Sequence, residues 1–126
     1  MGVTPMSITG TGSLPTDAHT TSNETAVLTE FAIPDNTATI LDVTVVARAP
    51  STGAGRRFTT LVIATRFNGG VPVVAQLKTV EIGSATLANA ALTFTAGASF
   101  SVIAQITGVT GIPMDWAIDG VMRFFP

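Results

Sequence analysis

The chain has 126 residues, of which 46% are hydrophobic and 11% are charged, and its formal net charge at pH 7 is -2. This length suits one domain with its own core, and the small negative charge offers no basic surface for nucleic-acid phosphates. No apolar run reaches the roughly 18 residues of a membrane helix, yet the charged share is less than half of the ~25% usual in a soluble domain. The composition therefore predicts a surface that is largely covered by other protein subunits, with neither nucleic acid nor membrane as a partner.

Cysteine is absent and histidine occurs once. Disulfides and thiolate metal sites are therefore excluded, and zinc and similar metals lack a ligand set. The N-terminus has neither the basic start nor the continuous apolar stretch of a secretory signal. We expect a protein that is made and retained in the cytoplasm and that carries no metal or cofactor.

Residues 1–23 are rich in Thr, Gly, Ser and Pro. This composition cannot bury enough apolar surface to offset the entropy lost on ordering, so we predict a flexible N-terminal arm followed by a folded domain at residues 24–126. The scattered apolar side chains indicate an arm that docks onto a partner in an assembly, and the alternative is a plain disordered terminus. The expected docking residues are Val3, Met6, Ile8 and Leu14.

From Glu24 onward, apolar and polar residues alternate with period two, and Val, Ile, Thr and Phe are frequent. Such alternation is typical of half-buried strands, and Gly, Pro, Asn and Asp mark turns between them. We predict seven strands, at residues 25–33, 38–49, 57–68, 73–82, 90–95, 99–107 and 113–125, with a single helical turn as an alternative within 84–91. The spacing predicts an all-β protein, namely a jelly-roll-like antiparallel β-sandwich.

Some strands are apolar on both faces. In the strand 57–68, Phe58 and Val62 point one way, and Leu61 and Phe67 point the other. One face can line the core, and the second requires cover from a neighbouring subunit. Gly120 is the predicted bulge at which the last strand bends and its faces change register. The residues expected in intersubunit contacts are Arg56, Arg57, Phe124 and Phe125.

Alternation assigns three marker residues to the core, which are Val45, Phe100 and Trp116. Trp116 falls on the inward face of the last strand, so packing in the core is favoured over a platform for a sugar. The absence of tyrosine also argues against carbohydrate or nucleic-acid binding through stacked aromatic rings.

The polar residues do not form a catalytic pattern. His19 lies in the arm, away from any predicted strand, and is expected to be solvated. Asp115 and Asp119 share one face of a strand but lie about 13 Å apart, beyond the separations that glycosidases use. Asp35 and Asn36 indicate a turn rather than a calcium loop. Because nucleophile-elbow, phosphate-loop and dinucleotide motifs are also absent, we expect a protein without enzymatic activity.

Three segments now stand out: residues 33–48 (IPDNTATILDVTVVAR), the Gly-rich loop before Phe58, and residues 102–116 (VIAQITGVTGIPMDW). They resemble a β-sandwich domain found in structural proteins of tailed bacteriophages, and the resemblance covers about residues 24–126. It implies a virion protein, often trimeric, that acts as a capsid decoration (cement) protein or as a module of head or tail fibres.

Decoration is the expectation we carry forward, because no coiled coil or stalk follows the domain in this sequence. It implies a homotrimer on the phage head, bound to the major capsid protein. One alternative is a receptor- or glycan-binding fibre module, for which exposed aromatic residues or a groove at the loop end would argue. The other is a tail or neck adaptor, which copy number in the particle would distinguish.

Overall fold

The computed structural model describes residues 4–7, 17–98 and 100–126, without the side chains of residues 4–7, 77 and 78. The strands are Thr4–Ser7 (β1), Asp17–Thr20 (β2), Thr25–Ala32 (β3), Thr37–Ala49 (β4), Ala54–Arg66 (β5), Val73–Gly83 (β6), Ala91–Gly97 (β7), Ser101–Thr107 (β8) and Met114–Phe125 (β9). All seven predicted strands are present, and the helical turn within 84–91 is a short 3-10 helix at Ala85–Leu87. No helix in these residues is long and apolar enough to span a membrane.

The strands form two antiparallel sheets, which confirms the predicted all-β sandwich. The large sheet has the order β1-β9-β4-β5-β6, and β2 also pairs with β9. The small sheet has the order β3-β8-β7. The strands therefore divide unequally, six to three, and the small sheet covers the inner face of the large one.

The core lies between the sheets and follows the alternation of the strands. In β4, every second residue from Thr39 to Ala49 is buried. The ring of Phe58 on β5 stacks on the indole of Trp116 on β9, with centroids 5.9 Å apart and planes 19° from parallel. Val45, fully buried, lies on β4 between these two strands. Burial of each such side chain contributes roughly 1.5–3 kcal/mol.

Strand β2 lies before residue 23, within the segment for which the sequence predicts a flexible arm. Asp17–Thr20 pairs with residues 114–117 of β9, and Thr20 is completely buried. Thr4–Ser7 pairs with the same edge of β9, at residues 121–124. Two pieces of the segment predicted to be a flexible arm therefore belong to the large sheet. The pattern was not apparent in the sequence because a four-residue strand shows too few alternations.

Gly120 is not the predicted bulge. The pairing of β4 with β9 runs without a shift from Arg48 and Asp115 to Ala38 and Phe125, and both strands keep their faces. Gly120 has φ 152°, and a Cβ there would collide with the carbonyl oxygen of Asp42 on β4. Position 120 therefore requires glycine, because the backbones of β9 and β4 lie too close together there for a Cβ atom. The register shifts lie elsewhere, in β3 and where β5 pairs with β6.

Phe100 is not a core residue. It precedes β8 by one position, has φ 59°, and is 44% exposed. The left-handed conformation belongs to the turn between β7 and β8, and it takes the side chain out of the inward row formed by Val102 and Ala104. The Phe100 ring instead lies against the guanidinium group of Arg66, whose Cζ atom is 4.0 Å from the ring centroid.

Candidate binding site

Three connections meet at one end of the sandwich. They are the β3–β4 turn at residues 34–36, the start of the β5–β6 connection at residues 67–70, and the β7–β8 turn, of which Ala98 and Phe100 are described. We call these residues the loop end. The N–H of Ile33 donates to the carbonyl of Phe100 at 3.1 Å, which ties the first connection to the third. Loops that a rigid scaffold holds in this way often carry binding sites.

Side chains of the first turn lock the second turn in place. Both carboxylate oxygens of Asp35 accept from the N–H of Gly69, at 2.8 and 3.0 Å. The Oδ1 atom of Asn36 accepts from the N–H of Asn68 at 2.9 Å. Asp35 and Asn36 thus form the expected turn, and their oxygens bind backbone amides of a second turn. Because the two turns are already fixed to each other, a ligand would order little of this surface.

Arg66 joins all three connections. Its Nε donates to the carbonyl of Gly70 at 3.0 Å, and Nη1 donates to the carbonyl of Ile33 at 3.1 Å. The face of its guanidinium lies against Phe100, a cation–π contact worth about 0.5–2 kcal/mol. Arg66 is therefore a structural residue, largely buried, that holds the loop end together.

The backbone of the loop end is strained. Asn36, Asn68 and Phe100 have φ of 55°, 53° and 59°, and they are the residues other than glycine with positive φ in the described part of the chain. A bulky residue such as phenylalanine is costly in this region, at roughly 1–3 kcal/mol. Strain of this kind is concentrated at binding sites and active sites, which makes the loop end the candidate functional site.

An open groove of about 550 Å³ lies beside the loop end. Phe67 forms one wall and is 80% exposed, and Phe125 at the end of β9 forms the opposite wall. Ala38 and Thr65 lie opposite each other in the register between these walls. We call this the Phe67 groove, and its lining residues are Asn36, Thr37, Ala38, Thr65, Arg66, Phe67, Phe125 and Pro126.

The lining of the Phe67 groove suits binding rather than proton transfer. Its walls are aromatic rings, and its polar groups are hydroxyls, an amide and the guanidinium of Arg66. Rings of this kind stack on flat apolar faces, and hydroxyls and amides hydrogen-bond to neutral polar groups. None of the lining side chains is a carboxylate or an imidazole, so the groove has no side chain suited to general acid–base work at neutral pH.

His19 is exposed, as expected of a solvated residue, but it lies on strand β2 and has a partner there. Its Nδ1 lies 2.8 Å from Oδ1 of Asp115, and the other carboxylate oxygen lies 4.0 Å from Nη2 of Arg48. The three residues form one row across β2, β9 and β4. All three are well exposed, and such pairs add little stability. In the described chain, no three His, Cys, Asp or Glu residues come together as metal ligands.

The residues expected at subunit contacts occupy different surroundings. Arg56 points inward and pairs with Glu81 at 2.9 Å, so it is engaged within its own chain. Arg57 is exposed on the opposite face of the same strand. Phe124 packs against the core, and Phe125 lines the groove.

The expected docking residues Val3, Ile8 and Leu14 lie outside the described residues. Met6 lies in β1 opposite Met122, and its side chain is outside the description. The sequence predicts that Phe67 lies on the outer face of the strand 57–68, and it predicts no role in binding for this residue. An aromatic residue directly before the turn sequence Asn-Gly-Gly is the signal that could have identified it as a wall of the groove.

The fold resembles part of a phage tailspike. The match to the Acinetobacter baumannii phage AM24 tailspike protein has a TM-score of 0.54 and 7% sequence identity, and it covers 98% of this chain and 26% of that chain. The present chain thus spans about a quarter of the length of the tailspike chain. No protein-family model matches the sequence, and the comparison with curated proteins finds no match either. At 7% identity, the likeness concerns the fold.

Proposed function

We propose that the protein is a non-enzymatic structural component of a tailed-bacteriophage particle. The observation that carries this proposal is that 98% of the chain follows the fold of a segment of a phage tailspike. Its composition supports the same proposal, because 46% hydrophobic and 11% charged residues suit a domain surrounded by other subunits. Such a role needs contact surfaces and requires no catalytic residue.

Within that class, capsid decoration is the first candidate. A decoration protein stabilises a shell by bridging joints between subunits of the major capsid protein, and its weak contacts multiply over a symmetric lattice. The exposed apolar side chains on the large sheet suit a protein that is covered in its assembly. This role places the protein on the surface of the head.

The Phe67 groove favours a receptor-binding module as the second candidate. Exposed aromatic walls beside a rigid loop end are the feature that would distinguish such a module. Phe67 is 80% exposed, and Asn36, Thr37 and Thr65 place polar groups next to it. A sugar ring presents a flat C–H face together with hydroxyl groups, so a surface glycan has the chemistry that this groove accommodates.

The location and copy number of the protein in purified particles test the proposal. Mass spectrometry would count the copies relative to the major capsid protein, and antibody labelling in the electron microscope would show their position. Decoration predicts many copies over the head, a receptor-binding module predicts few copies at the tail tip, and an adaptor predicts a single ring at the neck. Absence of the protein from intact particles would refute the proposal as a whole.

A glycan-binding assay tests whether the Phe67 groove is a receptor-binding site. The purified domain would be titrated with polysaccharide from the host surface. If the receptor-binding role is correct, Phe67→Ala abolishes binding while Val71→Ala, another exposed apolar side chain outside the groove lining, leaves it intact. If the folded wild type does not bind, decoration and the adaptor role remain as candidates.

A further inference from the structure

One face of the large sheet is apolar although it points into solvent. This outer face is the side of β4, β5, β6 and β9 that points away from the small sheet. Of the nine large hydrophobic side chains that are exposed in the described chain, five lie on it. They are Val46, Leu61, Val73, Val80 and Ile82.

Strand register brings Leu61, Val80 and Ile82 close together, and Arg57 separates them from Val46. Arg57 on β5 is opposite both Val46 on β4 and Ile82 on β6. Thr59, two residues along β5, is opposite Val80, and Leu61 follows two residues later. Between these rows lies a depression of about 230 Å³, lined in part by Asp42, Thr59, Leu61 and Val80. The apolar patch is thus formed by β5 and β6, with Val46 beyond Arg57, and it borders a recess that a protruding side chain could fill.

The outer face carries both signs of charge. Its described side chains include three arginines and three aspartates, so their formal charges sum to zero, and they are Arg48, Arg57, Arg123, Asp42, Asp115 and Asp119. Five of the six are on β4 and β9, beside the apolar patch on β5 and β6. Two of these arginines lie 4.0 Å from two of the aspartates, as Arg48–Asp115 and Arg123–Asp42. Lys78 adds one more positive residue at the register position opposite Leu61, so a second copy of the same face would meet both signs of charge.

The size of the face matches that of a stable interface. Strands lie about 4.8 Å apart and rise about 3.3 Å per residue. Four strands of about a dozen residues therefore cover roughly 19 by 40 Å, or about 750 Å². A specific protein–protein interface buries about 800 Å² per partner. The outer face is thus large enough to serve as one side of such an interface.

The small sheet presents a different outer face. Its exposed or half-exposed side chains include Thr25, Thr93, Thr95, Gln105 and Thr107, and the hydroxyls of Thr25 and Thr107 hydrogen-bond at 3.0 Å. Val27 is the large hydrophobic side chain exposed there. The apolar character is therefore specific to the large sheet, and Val27 offers a matched control position.

We propose that the outer face of the large sheet is a self-association interface, on which a second copy of this chain packs with its own outer face. Two sheets that pack in this way bring apolar patch against apolar patch, as in a sandwich core. The arginines and aspartates beside the patch then form a polar rim. This proposal holds for a head protein and a tail protein alike, but it competes with the receptor-binding candidate. Ala38, Thr65 and Phe125 of the Phe67 groove share the outward side of this face in the register, so an interface over the whole face would cover the groove.

Light scattering coupled to gel filtration tests the interface. At micromolar concentration the wild type should give twice the 12.9 kDa chain mass, because a face that packs on its own copy forms a two-fold pair. Leu61→Lys places a charge in the centre of the patch and should raise the concentration needed for association at least ~10-fold. Val27→Lys places the same charge on the small sheet and should leave association unchanged. A monomeric wild type, or equal behaviour of both variants, would overturn the proposal.

Folding of the variants is checked by their thermal melts. Leu61 is on a central strand, so Leu61→Lys could disturb the fold itself. In that case Ile82→Lys, at an exposed position on the edge strand β6, takes its place with the same control. A folded Ile82→Lys that associates like the wild type would likewise refute the interface.

Discussion

The indole nitrogen of Trp116 donates a hydrogen bond to Oγ1 of Thr20 at 3.0 Å, and both residues are buried. The contact joins β2 to β9 across 96 positions of sequence. It satisfies the single polar group of the largest core side chain, because an indole has one donor and no acceptor. Strand β2 thus completes the core of the sandwich.

Replacing Thr20 by valine should destabilise the fold by about 1–3 kcal/mol, because the shape is kept while the buried Nε1–H of Trp116 loses its acceptor. Urea unfolding would measure the change in the free energy of unfolding, provided that the variant and the wild type unfold with the same m-value. Thr25→Val is the control, since its hydrogen bond to Thr107 is exposed and its loss should matter by less than about 0.5 kcal/mol. Equal losses for the two variants would contradict the role of Thr20.

Two truncations should show that residues 1–16 and residues 17–23 have different roles. Removing residues 1–16 keeps β2 and Thr20 but also removes the edge strand β1, which pairs with residues 121–124 of β9, so it should lower the unfolding midpoint only moderately. Removing residues 1–23 exposes Trp116 and should lower the midpoint clearly. If the first residues dock onto capsids, the shorter deletion loses co-sedimentation with particles although it is folded. Undiminished co-sedimentation of that variant would eliminate the docking role.

Gly120→Ala should be among the most damaging small substitutions in the chain, at about 3 kcal/mol. A Cβ at this position meets the carbonyl oxygen of Asp42 and the Cα of Val43, which are backbone atoms of the neighbouring strand. Gly53→Ala is the matched control: it also has positive φ, but a Cβ there meets nothing within 4 Å, so it should cost about 1–2 kcal/mol. Thermal melts of the pair would separate collision from dihedral strain alone.

The strands and the site differ in how far local sequence reveals them. The alternation of β4 is visible in the sequence from Leu41 to Ala49, because each inward residue there is apolar and most of the residues between them are polar. Strand β2 gives no such signal, since its position depends on Trp116 and Asp115, almost a hundred residues away. The walls of the Phe67 groove come from the ends of β5 and β9, which the sheet order brings together. Register over long sequence distances is not contained in local patterns.

Acid should weaken the connection between the two sheets at Glu24. The backbone N–H groups of Thr21 and Ser22 donate to its carboxylate at 3.0 and 2.6 Å. These bonds lower the pKa of Glu24 from 4.5 to about 2. Because the folded pKa is the lower one, the carboxylate contributes its full stability above pH 4.5 and loses it as the pH falls towards 2.

Glu24→Gln should therefore unfold with a weaker dependence on pH than the wild type over this acidic range. Melting temperatures at matched pH values would show the difference. Added salt should leave the difference in place, since hydrogen bonds are screened far less than long-range charge interactions. Identical pH profiles for the two proteins would contradict the assignment.

Trp116→Ala and Phe67→Ala should have opposite effects, because one ring lies in the core and the other in solvent. Trp116 is 1% exposed and stacks on Phe58, so its loss leaves a cavity and should cost roughly 3–5 kcal/mol. That is a large part of the 5–15 kcal/mol that stabilises a typical domain. Phe67 is 80% exposed, and its removal should shift the melting temperature little while it eliminates one wall of the groove. Melts of both variants, with polysaccharide binding measured on the folded ones, would decide the matter. A wild-type melt for Trp116→Ala would mean that the indole is not a core residue.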